Sequence, residues 1–190
     1  VQDQPTFTLI LKDLRRAIDP MTEMDGYVRK AAVKALEALG RHVQDQATLT
    51  LILKDLRRAI DPKTETHNYV RQSAAKTLGA LGGLVQDQPT LTLIRKDLRR
   101  AIDPTTETDE YVRSSAVEAL GGHVQDQATL TLILDYLRRA IDPTTETHYY
   151  VRVAAVETLG ALGGHVQDQP TFTLILKDLR RAIDPMTEMD

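Results

Sequence analysis

Apolar residues near the start of the chain recur at the spacing of an α-helix. A strand would also fit the alternation over residues 6–11, but the charged continuation over residues 12–17 keeps the helical period. We therefore predict a first helix, helix A, which Asp19-Pro20 ends because the residue before proline disfavours the α conformation. Its apolar stripe consists of Phe7, Ile10, Leu11, Leu14 and Ile18.

A second apolar stripe predicts a second helix, helix B, after a loop of about eight residues. It begins at Tyr27 and contains Val28, Ala31, Ala32, Ala35, Leu36 and Leu39. Small alanines on this stripe allow a close approach to a neighbouring helix. We predict N-caps at Thr66, Thr108 and Thr147 in later copies, with Asp25 as the alternative in the first copy. A left-handed glycine stop is predicted at Gly40, Gly82-Gly83 and Gly163-Gly164.

The whole helix pair is repeated along the chain. The tetrapeptide Val-Gln-Asp-Gln starts at Val1, Val43, Val85, Val124 and Val166, at intervals of 42, 42, 39 and 42 residues. Such a period is typical of a stacked repeat array. We divide the chain, a single repeat domain over 1–190, into repeats 1–42, 43–84, 85–123 and 124–165 and a half-repeat 166–190. The third repeat lacks three residues, so its helix B should end early unless the turn absorbs the deletion.

Helix B carries a family resemblance. The pattern Val28-Arg29-x-x-Ala32-x-x-Ala35-Leu36-x-x-Leu39-Gly40 resembles the second helix of HEAT and HEAT-like (PBS-lyase-type) repeats. The resemblance implies an all-α fold, an α-solenoid of four A–B pairs with a terminal lone helix A. It also implies contacts between an aspartate after helix A and an arginine early in helix B. The matching pairs are Asp19 with Arg29, Asp61 with Arg71, Asp103 with Arg113, and Asp142 with Arg152.

Composition bounds the possible chemistry. The chain has 190 residues, net charge −3, 42% apolar residues and no cysteine, so a disulfide framework is excluded and a reducing, cytoplasmic location is expected. A phosphate-binding glycine loop is missing, and carboxylates recur with the repeat instead of forming one distinct pair. We predict no enzyme activity, catalytic residue, cofactor or metal. A two-histidine metal site at His123 and His165 is the weaker alternative to surface histidines.

Paired arginines in helix A allow two interpretations. Stacked repeats would align them as a basic ladder for phosphates or an acidic peptide, or Asp13, Asp55, Asp97 and the loop glutamates would neutralise them. The net charge and the lack of interleaved aromatic residues favour neutralisation, so we predict binding to neither nucleic acid nor membranes. The pairs are Arg15-Arg16, Arg57-Arg58, Arg99-Arg100, Arg138-Arg139 and Arg180-Arg181.

The positions that differ between copies predict a binding surface. Helix A is nearly invariant within the chain, whereas the polar face of helix B changes in steps of four residues. The resemblance places this face on the concave side of a solenoid, so we predict a non-enzymatic scaffold that binds a protein or peptide there. Drift at exposed positions is the alternative. The predicted partner-binding residues are Lys30, Lys34, Asn68, Gln72, Lys76, Glu110, Ser114, Glu118, Tyr149, Val153 and Glu157.

Other interpretations of the repeat remain open. The resemblance also fits a sensor or regulatory array of a larger signalling or lyase-type protein. The near-identity of the copies fits a structural, self-assembling repeat that is recently duplicated or designed. Residues 166–190 repeat residues 1–25 without change, and their apolar stripe matches that of the interior copies. We therefore also predict end-to-end homo-association, as a dimer or a filament.

Overall fold

A computed structural model describes residues 4–124, 126–164, 166 and 168–183. Within these residues the chain is all-helical, with nine α-helices and no strand. They are α1 (Gln4–Ala17), α2 (Gly26–Gly40), α3 (Gln46–Ala59), α4 (Asn68–Gly82), α5 (Gln88–Ile102), α6 (Glu110–Gly121), α7 (Gln127–Ile141), α8 (Tyr149–Gly163) and α9 (Gln169–Ile183). Odd-numbered helices are the predicted A helices and even-numbered helices the B helices. None of these helices has the length and apolarity that crossing a membrane requires.

The helices pack both within and between repeats. Each helix A contacts the helix B that follows it, and the B helices lie side by side in the order α2, α4, α6 and α8. The final helix α9 packs on α8. Aliphatic side chains fill the space between the A and B helices, as the fully buried Leu56, Leu78 and Leu98 illustrate. The predicted all-α class is therefore confirmed, and the B helices form one continuous layer.

Small residues bring neighbouring B helices close together, as expected. A Cβ atom added at Gly79 of α4 would lie 2.8 Å from the Cα of Ala119 in α6. Any larger side chain at Gly79 would push the two helices apart. This close approach holds the outward side chains of α4 and α6 at fixed separations.

Three side chains stabilise the loop from helix A to helix B by hydrogen bonds to the main chain. In the first copy, the Asp19 carboxylate accepts a hydrogen bond from the main-chain N–H of Met21 at 3.0 Å, which closes a turn. The Thr22 hydroxyl donates to the main-chain oxygen of Arg16 at the end of helix A. The Glu23 carboxylate accepts from the N–H of Asp25 at 2.8 Å. The same three bonds recur in the other copies, so the long loop is an ordered structure.

The helix ends differ in part from the sequence-based predictions. The threonine N-caps are wrong, because Asp109 caps α6, and His67 and His148 occupy the cap positions of α4 and α8. Asp25, the alternative, caps α2 through its side chain. The left-handed glycine stop is also wrong, since no described residue has a positive φ. The early end of the third helix B is confirmed: α6 has 12 residues, whereas α2, α4 and α8 each have 15.

Candidate partner-binding surface

The eleven predicted partner-binding residues lie on the open side of the B-helix layer. Seven of them are exposed, the other four are half-buried, and none is buried. Because α2, α4, α6 and α8 lie side by side, the residues form three rows that run across the helices: two rows have one residue on each helix, and the first row has none on α2. We call this set the B face. It consists of Lys30, Lys34, Asn68, Gln72, Lys76, Glu110, Ser114, Glu118, Tyr149, Val153 and Glu157.

A shallow groove crosses the middle of the B face between α4 and α6. Small residues form part of its lining, among them Gly79 and Ser115, and charged side chains from the two helices, Lys76 and Glu118, complete it. The groove is a direct result of the close helix approach at Gly79. It places the opposite charges of Lys76 and Glu118 beside a groove lined by small residues.

Tyrosines at the start of the B helices extend the surface. The rings of Tyr27 and Tyr69 stack with centroids 4.8 Å apart. The ring centroid of Tyr150 lies 5.4 Å from that of Tyr111 and 4.0 Å from that of Tyr149. Tyr27 is 70% exposed and Tyr149 is 56% exposed. The sequence-based prediction includes only Tyr149 of this row, although a tyrosine precedes Val-Arg in every copy. Exposed, mutually ordered aromatic rings are effective anchors for a binding partner.

The hydroxyl groups of Tyr69 and Tyr149 stay protonated at neutral pH. The hydrogen bond with the Tyr150 hydroxyl, burial and the neighbouring phenols together raise the pKa of Tyr149 to about 12. Burial and the electrostatic interactions with Tyr27 and Asp25 raise the pKa of Tyr69. These rings therefore present neutral hydroxyl groups that both donate and accept hydrogen bonds.

Buried ion pairs support the B face from beneath. Arg29 donates from Nε and Nη2 to both carboxylate oxygens of Glu65 at 2.6 and 2.7 Å, and from Nη1 to the main-chain oxygen of Glu23 at 2.8 Å. Arg71 pairs in the same way with Glu107, and Arg113 with Glu146. Each pair joins one repeat to the loop of the next. Bidentate geometry of this kind fixes orientation as well as distance.

This network corrects the predicted aspartate–arginine contacts. In α2, α4 and α6 the arginine binds the loop glutamate of the next repeat, not the aspartate of its own repeat. Arg152 of α8 donates instead to the main-chain oxygens of Glu146 and Thr147. The aspartates close the loop turns, and Asp19 and Asp61 also pair with Arg58 and Arg100 of the next helix A. The glutamate, and not the aspartate, binds the arginine because it lies four residues further along the loop, where the loop reaches helix B of the preceding repeat.

The charge state of Glu65 is set by burial and by its hydrogen bonds. Burial alone would raise the pKa of this carboxyl. Hydrogen bonds from the Arg29 guanidinium and from the His67 main-chain N–H outweigh burial, so the net effect lowers the pKa of Glu65. The carboxylate is therefore the form that the fold stabilises.

The helix-A arginines are paired with aspartates of adjacent repeats. Arg57 Nε lies 2.5 Å from Asp97, Arg138 Nε lies 2.5 Å from Asp178, and Arg15 pairs with Asp55. Asp55 and Asp97 thus neutralise arginines as predicted, whereas the loop glutamates bind the helix-B arginines instead. These half-exposed pairs align successive A helices.

His123 differs from the surface position expected for it. Its side chain is only 2% exposed and occupies the space left by Gly82, where an added Cβ would overlap the imidazole ring. Burial and the nearby Arg95 lower the pKa of His123 to about 4, although a main-chain contact at Leu78 opposes the shift. His165 lies outside the described residues, so the two-histidine site is untested. Within the described ranges there is no cluster of three or more potential metal ligands.

Comparisons with known proteins give no independent assignment. The chain matches no protein-family model, and no curated protein matches it.

Proposed function

We propose that this protein is a non-enzymatic scaffold that binds a protein or peptide along the B face of a HEAT-like α-solenoid. One observation carries the proposal: the residues that differ between copies are contiguous and accessible on adjoining helices, while the Arg–Glu pairs beneath them are repeated. A constant support under a varied surface is typical of repeat proteins that recognise partners. The solenoid path and a concave B face are parts of this proposal.

The mechanism follows from the rigidity of the support. Bidentate ion pairs and close helix contacts order the face before a partner arrives, so little conformational entropy is lost by the scaffold on binding. The tyrosine pair at the start of α8, with the adjacent Val153, supplies aromatic and apolar anchors. The charged rows then select among partners by electrostatic complementarity.

The experiment compares partner capture by a B-face variant and a matched variant on a helix A. The B-face variant is Tyr149→Ala/Glu157→Ala on α8, and the control is Leu132→Ala/Asp135→Ala at exposed positions of α7. We expect proteins retained by the wild-type chain to be lost by the first variant and kept by the second. Equal recovery by both variants would contradict the proposal.

We further propose that copies of the protein associate end to end through α9. This helix exposes Phe172 and Leu176, whereas the corresponding side chains of α3, Leu49 and Leu53, are buried. The described residues contain no helix after α9 that covers them. Apolar surface of this kind usually binds a partner, and the corresponding surface of α3 is covered by protein.

A further inference from the structure

One row of the B face changes sign halfway across the layer. Lys34 on α2 and Lys76 on α4 are followed by Glu118 on α6 and Glu157 on α8. All four side chains are exposed and occupy the same position in each helix B. Because the helices pack in this order, the row contains two cations followed by two anions.

The neighbouring charges strengthen this division. Lys30 adds a second cation on α2, and Glu110 adds a second anion on α6. Glu37 on α2 is the exception, but Arg41 binds its carboxylate at 2.8 Å and the Thr77 hydroxyl donates to it at 3.2 Å. It is therefore compensated locally and does not cancel the lysines.

The remaining charged groups near the face are already bound within the fold. Asp25 and Asp109 accept hydrogen bonds from the first main-chain N–H groups of α2 and α6. The arginines of α2, α4 and α6 are neutralised by their glutamate partners, and Arg152 of α8 donates to the main-chain oxygens of Glu146 and Thr147. The B face thus has a basic end over α2 and α4 and an acidic end over α6 and α8.

We propose that the B face binds a polypeptide segment of divided charge, acidic where it crosses α2 and α4 and basic where it crosses α6 and α8. The inference rests on the proposed function and specifies the partner's chemistry and its direction. A segment laid in the reverse direction would place like charges against each other at every helix. Such repulsion selects one direction more strongly than attraction alone.

Helix geometry sets the length of the segment. Packed helix axes lie about 8–10 Å apart, so the row over four helices spans roughly 30 Å. An extended chain advances about 3.3 Å per residue, so about nine residues cross the face. The matching segment therefore carries acidic residues at two positions about three residues apart, then basic residues at the next two such positions.

Two synthetic peptides of identical composition test this specificity. The first, the block peptide, has two glutamates and then two lysines, with two neutral residues between successive charges. The second alternates glutamate and lysine at the same positions. An exposed ion pair contributes about twofold in affinity, so the block peptide should bind about tenfold more tightly in fluorescence anisotropy. Equal affinity, or failure of the block peptide to bind, would overturn the inference.

A charge-swapped chain tests the direction of binding. Lys34→Glu/Lys76→Glu/Glu118→Lys/Glu157→Lys keeps the net charge and reverses the row. With a nitroxide on the acidic end of the block peptide, amide signals of α2 should broaden in the wild-type chain and those of α8 in the swapped chain. Unchanged broadening after the swap would contradict the inference. The control Lys54→Glu/Asp135→Lys, at exposed positions of α3 and α7, should behave as wild type.

These outcomes separate the inference from the proposed function. Loss of partner capture on substitution of Tyr149 and Glu157 supports a binding role for the B face whatever the peptides do. If partner capture is lost and the two peptides bind with equal affinity, the proposal of a charge-divided partner segment is wrong, whereas the proposed scaffold function is still supported.

Discussion

Arg71 binds both carboxylate oxygens of Glu107, a residue of the next repeat's loop, with Nε–Oε2 and Nη2–Oε1 distances of 2.6 and 2.9 Å. Its remaining nitrogen, Nη1, donates to the main-chain oxygens of Glu65 and Thr66 at 3.0 Å. The side chains are 7% and 1% exposed. One guanidinium thus joins its own loop to the following loop beneath the B face, and the pair is repeated on both sides of it.

Removing one member of this pair should destabilise the fold strongly. Arg71→Ala leaves the Glu107 carboxylate buried without its counter-ion, which we expect to lower the free energy of unfolding by about 3–5 kcal/mol. Arg58→Ala, which removes a more exposed pair with Asp19, should cost less than about 1 kcal/mol. Urea denaturation measures both. A loss below about 1 kcal/mol for Arg71→Ala would show that the pair does not hold the repeats together.

The helix pattern of this fold is predictable from sequence, but the partner of each arginine is not. The spacing of the apolar residues alone predicts both helices of each repeat, because residues on the buried face of a helix recur at every helical turn. Choosing Glu107 over Asp61, the predicted partner of Arg71, requires the path of the loop, since Glu107 belongs to the next repeat and lies 36 positions further along the chain. The burial of His123 is likewise not predictable from the sequence, because it depends on the space that Gly82 of the preceding repeat leaves open.

His123 should make stability depend on pH in the mildly acidic range. Its pKa is about 4 in the folded chain against an ordinary 6.5, so the unfolded state binds the proton more readily between these values. The stabilisation is fully present above about pH 6.5, falls as the pH drops to about 4, and changes no further below that. The loss is on the order of 3 kcal/mol.

The histidine contribution can be isolated with two leucine variants. His123→Leu should flatten the decline in unfolding free energy between pH 6.5 and 4, whereas His42→Leu, at an exposed position, should keep it. Both are measured by chemical denaturation at several pH values. Parallel pH profiles for wild type and His123→Leu would rule out the assignment.

Two adjacent glycines at the end of α4 provide a matched test of the His123 site. An alanine methyl group at Gly82 would overlap the buried imidazole, so Gly82→Ala should cost about 1–3 kcal/mol through overpacking. At Gly83 no atom lies within 4 Å of an added Cβ, and φ is −65°, so Gly83→Ala should be neutral or slightly stabilising. Thermal and urea unfolding compare the two. Equal effects would mean that His123 does not fill this space.

End-to-end association predicts a concentration-dependent mass. Light scattering over a hundredfold concentration range should show growth for the wild-type chain. Phe172→Asp/Leu176→Asp should abolish that growth, because it places charges on the exposed apolar side chains of α9. Lys177→Asp, at an exposed polar position of the same helix, should retain it. A constant monomer mass for the wild-type chain would end the proposal.

The central claim is that partners bind the B face, and site-specific photo-crosslinking tests it most directly. A photoreactive residue replaces Lys76 or Glu118 on the B face, or Lys54 or Lys96 at exposed positions of α3 and α5. Each chain is irradiated in extract of its source cells, with and without excess unlabelled wild-type chain. We predict competable adducts from the B-face positions and none from the helix-A positions. Competable adducts from Lys54 and Lys96 alone, or equally from all four positions, would contradict the claim.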